Sequence, residues 1–287
     1  MDGNAAKNAH DRAHIGVPAL TGRLEMKHSA HLFSHAFTRQ PGASIANGLR
    51  AEDGGDPNAE RFLIAHGEYV AALRATGAAV TVAPPLEAYP DSVFVEDPAL
   101  CLMGKAVILR PGAETRFGER DHARDALTEI MGAANIIDLP KGGIVDGGDI
   151  LVTETEVLVG LSARTDQAGV DLLRPIVEEL GLNLRVLNTP SHILHFKTGC
   201  AILDGQTIFT VADLGDCFDG YHTIICPADE APAANLIRFN DKVFCAAGFP
   251  KTLQMLTDAG YDVVTLDVSE AAKVDGGLSC MSLRFSL

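Results

Sequence analysis

The 287-residue sequence has no tryptophan and four tyrosines, and aromatic residues make up only 6% of it. Packing must therefore rest on aliphatic side chains, and an apolar content of 47% is ample for one large domain or two modest ones. Six cysteines (Cys101, Cys200, Cys217, Cys226, Cys245 and Cys280) include no CxxC pair, which excludes the common zinc ribbons and dithiol redox motifs. Several lie in apolar runs, so most read as buried thiols of a reducing compartment. No uninterrupted apolar run approaches the ~18 residues of a membrane span, and the N-terminus lacks a secretory apolar core. These absences point to a soluble, cytoplasmic protein. Positive charge is scarce as well: 23 Lys and Arg against 38 Asp and Glu leave a formal net charge of −15. That balance suits neither nucleic acid nor an anionic membrane and favours a cationic ligand.

Residues 1–31 are polar, carry His10, His14, His28 and His31, and show no sustained period. They read as an N-terminal extension with solvated histidines, followed by a single domain over residues 32–287. A first strand is expected over residues 32–38, a Gly/Ser/Asn-rich loop over 42–56, a helix over 60–76 and a short strand over 79–82. From there one unit recurs: two short strands around a tight turn, a helix, and a closing strand. Turn centres fall near residues 104, 155, 205 and 240, the third copy lacking its helix. With the N-terminal helix and strand counted as a partial unit, the pattern predicts a five-membered array closing on itself; an ordinary α/β sheet with hairpins fits the pattern too.

The chemistry-bearing residues fall at the junctions between units. The most informative stretch is the last: after Lys273, Val274 and Asp275, two glycines precede Cys280, a turn suited to presenting a thiol. A lone cysteine becomes a nucleophile only when a neighbour lowers its pKa or takes its proton. Residues 90–98 carry Asp91, Glu96 and Asp97 around an apolar run, which also reads as a strand with acidic ends. Residues 145–149 (Val-Asp-Gly-Gly-Asp) set Asp146 and Asp149 around a glycine turn, where Asp149 also reads as a local backbone cap. His195 stands in an apolar context typical of a core histidine. Its spacing from His192 suggests a metal pair only on a helix, whereas this run reads as β-like. Arg116 and Arg164 each follow a strand pair and together make a fork for a carboxylate. Carboxylates for a planar cation, arginines for an anion, a thiol and a histidine describe one ligand: an arginine-like amino acid.

On these blocks, residues 91–98, 110–119, 145–150, 161–164, 194–199 and 275–285, the chain resembles the dimethylarginine dimethylaminohydrolases, guanidino-modifying enzymes of the pentein superfamily. The resemblance implies an α/β pentein fold, a five-bladed ββαβ propeller around a central site. It also implies Cys280 as nucleophile, His195 as general acid/base and Asp146 as the acid that orients it and contacts the guanidinium. Asp97 is implied as the guanidinium-binding carboxylate, with Asp91 and Glu96 lining the same pocket. Arg116 and Arg164 are implied as the α-carboxylate pair, Leu49 as a lid residue and Val274 as a main-chain contact. No metal or cofactor has a role in that scheme, and the partner is a small methylated arginine.

Arginine deiminases resemble the chain in the Cys/His pair but typically carry an Asp two residues after the catalytic His, where this chain has Lys197, and they carry an inserted helical region. A non-enzymatic alternative on the same fold is a ribosome-binding factor, which the acidic charge suits poorly. Exposed strand edges are compatible with a homodimer, and the sequence does not fix the oligomeric state.

Overall fold

The computed structural model describes Met1, residues 28–51 and residues 54–287; most of the extension lies outside the described residues. Within them the chain follows the repeating pattern. β1 (His35–Arg39), α1 (Ala59–Ala75) and β2 (Ala79–Ala83) begin the first blade. β3 (Ala99–Leu102), β4 (Lys105–Ile108), α2 (Glu119–Met131) and β5 (Ile136–Asp138) make the second. The third is β6 (Ile150–Val152), β7 (Glu156–Leu161), α3 (Gln167–Glu179) and β8 (Asn183–Asn188). The fourth is β9 (Cys200–Ile202), β10 (Thr207–Thr210) and β11 (His222–Ile225), with a 3₁₀ turn over Ala212–Cys217 in place of the helix. The fifth holds β12 (Ile237–Phe239), β13 (Lys242–Ala246), α4 (Pro250–Asp258) and β14 (Asp262–Leu266).

Each blade is a three-stranded sheet whose middle strand is antiparallel to one neighbour and parallel to the other. A final strand, β15 (Leu283–Phe285), pairs antiparallel with β1, His35 opposite Phe285, and supplies the strand the first blade lacks. The C-terminal segment thus closes the ring, a pairing the local pattern did not announce. Its hydrogen bonds also tie the loop before it, which carries Cys280, to the start of the first blade.

The core is five apolar seams, one between each pair of adjacent blades. Phe37 and Leu283 meet Ile108 and Leu127 between the first and second. Val107 and Leu109 meet Val157 and Leu173 between the second and third. Leu158 meets Cys200 and Ile208 at the next seam, Phe209 meets Val243 and Cys245 at the fourth, and Phe239 and Phe244 meet Ala36 and Leu73 at the last. Each fully buried aliphatic or aromatic side chain contributes roughly 1.5–3 kcal/mol, so stability is spread around the ring rather than held in one centre. The strands point into the middle of the ring, and the junction loops with their polar residues converge there.

Helix caps follow the sequence: Asn58 Oδ1 accepts from Arg61 N at 2.9 Å, and Asp166 Oδ1 accepts from Gly169 N at 2.7 Å. On the buried face of α1, His66 lies against Tyr69, and its Nε2 has no hydrogen-bond partner among the described residues. Burial lowers its pKa from 6.5 to about 4. The unfolded chain therefore binds the extra proton first, and stability falls as pH drops from about 6.5 towards 4, by about 3 kcal/mol at most. His66→Leu is expected to flatten that part of the profile, as measured by urea unfolding at pH values on either side of the histidine's ordinary pKa.

Candidate active site

Two cavities occupy the middle of the ring, back to back. The first, about 170 Å³, is walled by Leu49, Asp91, Asp97, Arg116, Arg164, His195, Val274 and Cys280, together with Arg50 and Asp275. Segments as remote in sequence as Leu49 and Cys280 therefore meet in one pocket. Eight of the ten residues singled out from sequence are in this wall; Asp146 and Glu96 are not.

Asp146 is fully buried behind His195 and makes its contact from there. Its Oδ2 lies 2.9 Å from His195 Nε2, and Oδ1 accepts from Gly112 N at 2.7 Å. Both Asp146 oxygens are engaged behind the ring, one on the imidazole and one on the Gly112 amide, while Asp97 lines the pocket. Asp149, read as a cap, also acts on the histidine loop: Oδ1 accepts from Phe196 N at 2.8 Å, and Oδ2 accepts from Ser162 and Thr165 hydroxyls at 2.7 Å each. Gly148 lies under the ring, where a Cβ would sit 2.9 Å from His195 Cγ and Nδ1, so the acidic turn needs glycine for close approach. The histidine segment is a 3₁₀ turn over Phe196–Thr198 rather than a strand. His192 points elsewhere, pairing with Asp213 at 2.9 Å.

Burial disfavours the His195 imidazolium, but Asp97, 4.0 Å away, and the hydrogen bond with Asp146 outweigh it and hold the pKa at about 9. Burial likewise opposes the Asp97 carboxylate, yet His195, Arg116 and the Gly148 amide bring it down to about 2. Among the described residues, Asp97, Asp146 and His195 form one group whose ligand atoms lie within 4.8 Å of one another, so the imidazolium is flanked by two carboxylates. Cys280 is partly exposed, and its thiol is pushed up to about 11 by burial, then by Glu96 and Asp97. The unliganded site thus holds a neutral thiol beside a charged imidazolium.

The two arginines are not alike. Arg116 is buried and fully engaged, with Nη1 on Asp97, Nε and Nη2 on Glu119, and Nη2 on Phe94 O at 2.9 Å. Arg164 is partly buried, and among the described residues its guanidinium makes no hydrogen bond or ion pair. Both arginines of the fork expected from sequence border the pocket, Arg164 with its guanidinium free of protein partners among the described residues and Arg116 with its own engaged. Glu119 gave a weak signal in its i, i+3 spacing from Arg116.

Glu96 faces the other way. Residues 95–98 form a turn just ahead of β3, and within it Asp97 lines the first pocket while Glu96 lines the second cavity. Glu96 Oε1 lies 2.6 Å from Lys197 Nζ and 2.7 Å from Arg284 Nη2, in the wall of the second cavity. Behind Cys280, Asn235 Oδ1 accepts from Ser279 N at 3.0 Å, and Tyr69 hydroxyl donates to Leu278 O at 3.1 Å. The paired glycines serve close packing: a Cβ at Gly276 would lie 2.2 Å from the Phe94 ring and one at Gly277 2.6 Å from Asn235, while the left-handed residue of the turn is Asp275, φ 55°. Asp275 Oδ2 accepts from Ala51 N at 2.6 Å and Asp91 Oδ1 accepts from Leu49 N at 3.0 Å, so two carboxylates hold the loop carrying Leu49 against the pocket.

A five-bladed α/β propeller with a thiol, a carboxylate-held imidazole and a buried acid in its central pocket defines the guanidino-modifying penteins. Residues 35–194 match the family model described as N,N dimethylarginine dimethylhydrolase, eukaryotic. The chain is 37% identical over 257 residues to the N(G),N(G)-dimethylarginine dimethylaminohydrolase of Pseudomonas aeruginosa, covering 88% of this chain and all of that one, and 33% identical to that of Streptomyces coelicolor, covering 87% and 96%. It belongs to the dimethylarginine dimethylaminohydrolase family. A solved structure of a mutant Pseudomonas aeruginosa enzyme complexed with citrulline superposes with a TM-score of 0.85 at 36% identity, over 88% of this chain and all of that one. The N-terminal domain of a cyanobacterial arginine dihydrolase, ArgZ, shares the fold at 19% identity and a TM-score of 0.78. No helix among the described residues is long and apolar enough to cross a membrane.

Proposed function

We propose that this protein hydrolyses N-ω-methylated arginine to citrulline and a methylamine through a covalent intermediate on Cys280. The observation that carries the reading is the single pocket in which Cys280, His195 and Asp97 share a wall with the free guanidinium of Arg164. Asp97 holds the substrate guanidinium, keeping it charged and therefore electrophilic at its central carbon. Arg164 takes the α-carboxylate, while Asp91 and the main chain at Leu49 and Val274 surround the amino-acid end. Cys280 sulfur attacks the central carbon. As the carbon–nitrogen bond breaks, its electron pair stays on nitrogen, which receives a proton from His195. A thiouronium remains, and water deprotonated by neutral His195 releases citrulline and the thiol.

The test is citrulline release from asymmetric dimethylarginine, monomethylarginine and free arginine. Both methylated substrates are expected to turn over, with arginine much slower; equal or faster release from arginine overturns the assignment. A chloroacetamidine reagent is expected to label Cys280, and substrate to block the labelling; a non-catalytic scaffold has no pocket to confer that protection. Arg164→Ala is expected to raise KM about tenfold to a hundredfold with little change in kcat, because a charge-assisted contact to a non-reacting carboxylate is removed equally from ground and transition states.

A further inference from the structure

The second cavity, about 100 Å³, is separated from the catalytic pocket by segments whose successive residues line one and then the other. Asp97 and Cys280 face the front; their chain neighbours Glu96 and Ser279 face the rear. Glu96 N donates to Cys280 O at 3.2 Å, joining the two halves of the partition. The rear space is bounded by apolar side chains of β6 and β9, among them Ile150, Leu151 and Ile202. His28, Ala30 and Phe33 form part of its wall, so the end of the extension packs here and His28 is partly buried rather than solvated. At its inner end Glu96 is 3% exposed, with Oε1 on Lys197 and Arg284 and Oε2 without a hydrogen-bond partner among the described residues. A cavity of this volume has room for about three water-sized bodies.

Under the methylarginine reading, on which this inference rests, the amine leaves carbon while the rest of the substrate is still bonded to Cys280 and fills the front pocket. We propose that the rear cavity is the binding site for the leaving amine, reached past the Glu96–Lys197 pair. The amine departs neutral, with its proton from His195 and the former bond pair on nitrogen. A secondary amine then has one N–H for Glu96 Oε1 and one lone pair for a Lys197 ammonium proton, both freed as the amine passes between the pair. Its two methyl groups meet the aliphatic wall, where burial of each is worth about 0.8 kcal/mol. Lys197 acts here as a positioning residue for a product.

The test uses the Cys280→Ser protein saturated with citrulline, so that the front pocket is occupied. ¹³C-labelled dimethylamine is titrated in at a pH high enough for a measurable fraction to be the neutral base, and followed by intermolecular NOEs to the labelled methyl groups of Ile150 and Ile202. NOEs to both, unchanged by citrulline, are expected. Ala201→Leu, which narrows the cavity wall, is expected to weaken amine binding at least tenfold while citrulline affinity changes less than twofold. Displacement of the amine by citrulline, or absence of NOEs to both methyl groups, overturns the proposal. Should Ala201→Leu not fold, as judged by its methyl spectrum, the NOE measurement on Cys280→Ser alone decides. Turnover of dimethylarginine by the native enzyme is measured alongside: turnover without rear-cavity NOEs overturns this inference only, whereas absent turnover overturns the reading beneath it.

Discussion

Cys280→Ser is expected to abolish citrulline release, by on the order of 10⁴-fold or more, while Cys217→Ser retains near-native turnover. Serine fits the space, but its hydroxyl is a far weaker acid than the thiol, and nothing beside Cys280 acts as a strong base towards it. Asp146 is behind the histidine, and His195 is held protonated at neutral pH. Cys217 lies partly exposed in the 3₁₀ turn after β10, remote from the pocket wall. The same protonation states shape the pH profile. Attack needs a thiolate and leaving-group protonation needs an imidazolium, yet in the free protein the thiol titrates near 11 and the imidazolium near 9. The competent pair is then a minor form, about one molecule in a hundred between those values. Log kcat/KM is expected to climb with unit slope up to about pH 9, stay level, and fall above about pH 11. Substrate is expected to change this balance: burial holds the thiol protonated and the Glu96 and Asp97 fields add to it, and a bound guanidinium offsets those fields, so the breaks in kcat are expected at lower pH than those in kcat/KM. A kcat profile with the same breaks as kcat/KM would show that the bound cation does not activate the sulfur.

The repeat was legible because each blade is built from local signals. Met103-Gly104 and Asn240-Asp241 form two-residue hairpin turns, with Met103 at φ 51° and Asn240 at φ 57°, and apolar strands flank both. What the local pattern did not announce is the pairing of β15 with β1, since a three-residue strand carries no period and its partner is far away in sequence. The pocket residues were legible as ordered blocks resembling a family, and the structure brings most of them into one wall. Orientation was the part that pattern could not supply. Glu96 and Asp97 are adjacent acids in one motif, and only the backbone direction at that point decides which side of the partition each occupies. Asn235 and Tyr69, which fix the nucleophile loop, gave no signal at all, because a buried polar residue in an apolar stretch looks the same whether its partner is near or remote. Arg116 and Arg164 looked equivalent for a similar reason: equal positions after a hairpin say nothing about which acids pack alongside.

That inequality leads to the largest expected effect on stability. Arg116→Ala should destabilise the protein by about 3–5 kcal/mol, a fall in Tm of roughly 10 °C, whereas Arg164→Ala should leave Tm nearly unchanged. Removing the Arg116 side chain strands Asp97 and Glu119, each 3% exposed, and frees the carbonyls of Asp91 and Phe94 from their donor. Burial already raises the Glu119 pKa despite the arginine beside it, so without Arg116 this acid moves further up and tends to take a proton. Asp97 is different: His195 and the Gly148 amide still favour its ionised form, and it bears most of the penalty. The double variant Arg116→Ala, Glu119→Ala should therefore recover only part of the lost stability, because one of the two stranded acids remains. Urea unfolding of the native, single and double variants at constant pH measures this. A single variant as stable as the native protein would mean that Arg116 is held loosely enough to turn towards a substrate carboxylate, and would restore the symmetrical fork that the sequence suggested.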